Sequence, residues 1–212
     1  IRYVSRASSY LAAARPLTRC AMKQSVASAG ALSVMVPREG LAGYPREAFL
    51  DDLVAEAERE IRECLALGAV AVQIDFSEGR RAAATDPSLA TLREVVAVEN
   101  RVLSRFDDDA RTHLGAHVCA GSDGCSTHSA DVDPAAVLAE VLRLEVGRVY
   151  VELAREPDRA SVLRAIAAHA RPEQVIFVGV TDPRDPRVET PDEVGDRVLE
   201  AAEHILVDRL GT

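Results

Sequence analysis

From residue 44 onward the chain alternates long amphipathic stretches with short, almost wholly apolar runs, and no other feature limits its fold so strongly. Pro45 to Leu67 places Leu53, Ala57, Ile61 and Leu65 at helical spacing, behind acidic first turns and ahead of Gly68, a stop signal. A strand from Val70 to Asp75 follows. The alternation continues with a helix from Ser88 to Arg105, a strand from His113 to Cys119, and a helix from the Asp133-Pro134 cap to Leu144. Next come a strand from Arg148 to Glu152, a helix from Arg159 to Ala170 and a strand from Val175 to Val180. A last helix runs from Thr190-Pro191-Asp192-Glu193, a capping box, to about Arg209. An earlier strand falls between Cys20 and Val26. Strands that are nearly continuous in hydrophobicity and alternate with helices predict a parallel sheet covered by helices.

The choice between an open sheet and a barrel turns on the strand ends. Asp75, His117 with Cys119, Glu152 and Asp182 all stand where strands finish, and a barrel brings such ends to one mouth. No G-x-G-x-x-G loop follows any strand, which removes the usual signature of a dinucleotide-binding open sheet. The expected fold is therefore a TIM (β/α)8 barrel, incomplete in this chain, with five strands visible. No repeat or low-complexity linker interrupts residues 1–212, so one catalytic barrel domain is expected, cut at both ends from a longer chain.

A net charge of -9 disfavours nucleic acid and anionic membranes as partners, because both would be repelled. No apolar run approaches the roughly 20 residues that span a bilayer, and no signal-peptide pattern opens the chain. A cytoplasmic protein with a small-molecule substrate is expected. The four cysteines, Cys20, Cys64, Cys119 and Cys125, are scattered in a chain large enough to have a core, so a disulfide framework is not expected.

Ala116-His117-Val118-Cys119 is the sharpest chemical signal, since residues two apart on a strand point to one side and imidazole with thiolate suits zinc. Glu152 ends the next strand at a similar height and offers a third ligand; its bland alternative is an ion pair with Arg148 or Arg155. A competing closed site would use His117, Cys119, Cys125 and His128, and packed, non-ligating side chains are the remaining alternative. Asp75, and Glu78 just beyond it, can hold an ammonium group, or else cap a helix or pair with Arg80 or Arg81. His128 reads as substrate-facing or capping, and Thr181-Asp182-Pro183-Arg184-Asp185-Pro186 as a stiff active-site loop with Asp182 as candidate catalytic group, or as a barrel rim.

Gln73-Ile74-Asp75, His117-x-Cys119, Val149-Tyr150-Val151-Glu152 and Gly179-Val180-x-Asp182 together resemble, in order and spacing, the catalytic barrel of cobalamin-independent methionine synthases. Tyr3-Val4-Ser5-Arg6 and Met22-Lys23-Gln24-Ser25 are similar to that barrel's second and third strand regions. The resemblance implies zinc held by His117, Cys119 and Glu152, with a fourth cysteine on a last strand beginning just after Thr212. It implies methyl transfer from a methylated folate or other carrier to the thiol of homocysteine, with Asp75, Glu78, Ser25 and His128 around the substrate. Three features depart from the family: Arg184 matches a loop histidine, no tryptophan is present, and no long N-terminal domain is seen. Alternatives are a thiol alkyltransferase of the epoxyalkane–coenzyme M type, a metal-free barrel like uroporphyrinogen decarboxylase, and a binding protein for a corrinoid partner.

Overall fold

The computed structural model describes residues 1–76, 78–119 and 132–212, with the backbone alone for residues 78–81. Among the described residues six strands are present: β1 (Lys23–Ala27), β2 (Ala71–Asp75), β3 (Leu114–Val118), β4 (Arg148–Val151), β5 (Val175–Val178) and β6 (Leu210–Gly211). They form one sheet in the order β1-β2-β3-β4-β5-β6, every neighbouring pair parallel. An open doubly wound sheet reverses its strand order partway; this one never does, so every crossover winds in the same sense and puts its helices on one side. That is barrel winding. Among the described residues β1 and β6 do not pair with each other, so the barrel is unclosed.

The helices are α1 (Ala7–Ala14), α2 (Ala29–Ser33), α3 (Arg46–Ala66), α4 (Glu78–Thr85), α5 (Ala90–Leu103), α6 (Asp108–Thr112), α7 (Pro134–Val141), α8 (Arg159–His169) and α9 (Pro191–Ala202). One face of the sheet is fully covered by them. Ile74, Leu114, Val149 and Ile176 show no exposed surface, and each such side chain contributes about 1.5–3 kcal/mol by leaving water. The alternate residues, among them Gln73, His117, Tyr150 and Phe177, face the barrel interior and are only partly buried.

Local signals explain the element ends. Gly68 adopts φ 82°, its N–H bonds Leu65 O at 2.8 Å and the Ala69 N–H bonds Cys64 O at 3.1 Å, a Schellman stop to α3. At α9, Glu193 N–H donates to Thr190 Oγ1 at 3.2 Å while Thr190 N–H donates to Glu193 Oε2 at 2.7 Å, the reciprocal capping box expected from the sequence. That helix stops at Ala202, short of the expected Arg209, because the chain turns to bury Ile205. Arg209 then donates to Gln174 O and Arg171 O, which pins the turn before β6. The last strand accordingly starts at Leu210, before Thr212 rather than after it. Residues 3–6 are irregular instead of a strand; Tyr3 N–H, the Arg6 guanidinium and Ala7 N–H are held by Glu56 and Glu60 of α3.

The loop after β1 is anchored by Glu99 of α5, which is 1% exposed. Its carboxylate accepts from Ser28 Oγ at 2.6 Å, from Gly30 N–H at 2.9 Å and from the Ala29 N–H. Burial raises the Glu99 pKa despite these donors. The fold then binds a proton more readily than the unfolded chain, so this group's contribution falls as pH rises from the ordinary glutamate pKa through the raised one. Replacing Glu99 with Gln should therefore cost more stability at about pH 5 than at about pH 8 in urea unfolding; a cost that grew with pH would refute the direction.

Candidate active site

Parallel register builds the site. Asp75 lies beside His117, His117 beside Tyr150, Tyr150 beside Phe177 and Phe177 beside Gly211, one interior row across five strands. One step toward the strand ends, Glu152 N–H bonds Val118 O at 3.0 Å and Gly179 N–H bonds Val151 O at 2.9 Å, which carries the pairing past the strands to Cys119, Glu152 and Gly179. Side-chain alternation turns this second row to the same interior.

A cavity of about 380 Å³ opens there, lined by His117, Cys119, Tyr150, Glu152, Arg155, Phe177, Gly179, Pro183, Arg184 and Thr212 among others. His117 and Cys119 are joined by a side-chain hydrogen bond, the leading cause of a raised His117 pKa; the charges on Cys119, Asp75 and Glu152 add to it and burial opposes it. Imidazole, thiol and carboxylate on adjacent strand ends make a donor set suited to zinc. Among the described residues no three His, Cys, Asp or Glu side chains stand close enough to hold a metal ion, so the assembled part of that set is the His117–Cys119 pair. Glu152 shares its cavity.

Beneath the pair lies an aromatic floor. The Tyr150 and Phe177 rings stack with centroids 4.8 Å apart, and Lys23 Nζ sits 4.1 Å from the Tyr150 centroid while donating to Gln73 Oε1 at 2.7 Å. Gly115 leaves the space that the Tyr150 ring fills.

The other expected site residues distribute unevenly. Asp75 stands in the His117 row on β2. Asp182 does not line the cavity; its Oδ1 accepts from Arg184 N–H at 2.9 Å, its Oδ2 faces Arg155 Nε at 3.4 Å, and its own N–H donates to Glu189 Oε1 at 3.0 Å. Ser25 lines a separate concavity with Tyr3, Arg6 and Glu60, away from His117. The Glu78 side chain, Cys125 and His128 lie outside the described residues, as does the loop cluster built on the last two. Of the arginines weighed as partners for Glu152, Arg148 donates to Thr112 O and Arg155 faces Asp182. Sequence reasoning passed over Tyr150 and Phe177, although each stands two residues before a mouth residue on the same strand face. The described cysteines are free thiols, and no described helix is long and apolar enough to cross a membrane.

An α/β chain wound in barrel order, with its ionisable side chains gathered at the strand C-terminal ends, has the architecture of the (β/α)-barrel enzymes. The family model for the cobalamin-independent synthase catalytic domain matches residues 34–212, and the chain belongs to that family. A B12-independent methionine synthase from Shewanella sp. W3-18-1, solved with selenomethionine, superposes with a TM-score of 0.68 at 16% identity, over 100% of this chain and 59% of that one. A Listeria monocytogenes chain described as a vitamin-B12-independent methionine synthase gives 0.65 at 19% identity, over 92% and 56%. The chain thus spans under three fifths of either relative's length. No curated protein matches it.

A Cβ at residue 115 would sit 2.6 Å from Tyr150 Cε2. Gly115→Ala should cost about 1–3 kcal/mol in urea unfolding, and clearly less in a Tyr150→Ala background. Equal costs in both backgrounds would separate the glycine from the aromatic floor.

Proposed function

We propose that this chain carries the thiol-activating part of a zinc-dependent methyltransferase that methylates homocysteine to methionine, drawing on a methylated folate or another methyl carrier. The observation that carries the reading is the hydrogen-bonded His117–Cys119 pair in one cavity with Glu152 at adjacent strand ends. His117, Cys119 and Glu152 would hold the zinc. Bound zinc supplies a Lewis acid that keeps a coordinated thiol deprotonated near neutral pH. The chain's own groups do the rest. Asp75, in register with His117, would accept hydrogen bonds from a substrate ammonium. The Tyr150–Phe177 stack presents apolar surface that excludes water from the sulfur. Membership of the cobalamin-independent synthase family supports the methyl-transfer chemistry.

Zinc content and thiol consumption test this directly. His117→Ala and Cys119→Ser should each lose zinc, Cys125→Ser should retain it, and the wild-type protein should consume homocysteine with at least one methyl donor. Equal zinc loss in all three variants would move the site to the loop cysteine. A protein that purifies without zinc, and whose activity survives Cys119→Ser, would point to metal-free barrel chemistry.

A further inference from the structure

We propose that Tyr150 and Phe177 set the depth of the active-site cavity, so that the protein selects its acceptor by the length of the carbon chain that lies against the two rings. The proposal rests on the reading of this cavity as the reaction site. It adds two specificity-determining residues and the class of reactant they admit, a short straight-chain amino-acid thiol.

Tyr150 of β4 and Phe177 of β5 stand in the His117 row, one side-chain layer below Glu152 and Gly179. Both line the cavity that holds His117, Cys119 and Glu152. Two glycines let the rings lie across the interior. A Cβ at residue 115 would sit 2.6 Å from Tyr150 Cε2, and one at residue 211 would overlap the Phe177 ring. Gly115 precedes His117 by two residues on β3, so the Tyr150 ring edge reaches that strand one side-chain layer below the imidazole. Gly211 belongs to β6, so the stacked pair spans the floor from β3 to β6.

This floor has little room to retreat. Tyr150 stacks on Phe177 with centroids 4.8 Å apart and carries Lys23 Nζ 4.1 Å from its own centroid, and that ammonium is fixed in turn by Gln73 Oε1 at 2.7 Å. An aromatic side chain turns about two torsions only, so a ring seated on strand backbone cannot make way for an added methylene as a flexible methionine would. Each methylene that fits strengthens binding about four-fold, whereas one that does not fit must displace the rings. Chain length is therefore read as a step and not as a gradual trend.

Calorimetric binding to the full chain without turnover locates the step. The probes are the thiol-free straight-chain amino acids 2-aminobutyrate, 2-aminopentanoate, 2-aminohexanoate and 2-aminoheptanoate. With the wild-type protein, affinity should rise with length and then fall about ten-fold or more at one member of the series. Phe177→Ala should move that fall to a longer member or remove it. Phe177→Leu, a milder truncation that keeps an apolar side chain, should soften the fall or move it less far, and it serves as the test if the alanine variant does not fold. Absence of a fall in the wild type, a fall of the same size at the same member in the variant, or equal weakening of every probe overturns the proposal. Zinc content and homocysteine consumption, measured separately, report on the thiol-transfer reading itself.

Discussion

Parallel pairing of β2, β3, β4, β5 and β6 aligns Asp75, His117, Tyr150, Phe177 and Gly211 into one interior row, and the rest of the site follows from that alignment. A slip of one residue in any pair would turn the ionisable set into the helical shell and the aliphatic set into the cavity. Ile74, Leu114, Val149 and Ile176, fully buried on the opposite face, prevent such a slip by the hydrophobic energy it would forfeit. Packing of the outer face therefore holds the chemistry of the inner face in register.

Polar side chains then fix what the strands leave loose. Glu99 gathers three donors at the loop after β1, Asp182 and Glu189 do the same for the loop after β5, and Glu56 with Glu60 grips the first residues against α3. In each case a carboxylate satisfies backbone N–H groups that a loop cannot pair internally. The mouth of the barrel is consequently shaped by hydrogen bonds more than by apolar burial.

Hydrophobic alternation was enough to read β2 to β5 and the long helices between them, because each carries several residues of one period. The capping box at Thr190 and the Asp133-Pro134 start were equally legible, being local chemistry. Helices α2 and α6, five residues each, offer less than two turns of periodicity and escaped notice. The two-residue β6 had no apolar run to announce it, so the last helix was extended to about Arg209, up to the start of that strand. The grouping of His117, Cys119 and Glu152 in one cavity could be read from the sequence because they stand at adjoining strand ends. Asp182 was read as catalytic because sequence shows its place at a strand end but not its side chain turning to Arg155 and the Arg184 N–H. Ser25 was included on resemblance, and the separate concavity it lines depends on the irregular first residues.

Because every strand pairs only with those adjacent to it in the chain, the sheet can grow in the order of synthesis, each βα unit docking on the one before it. Asp75 is in place first, His117 and Cys119 next, then Glu152, and the Arg184 loop after that. In that order His117 and Cys119 precede the β4 and β5 residues that line the other walls of their cavity.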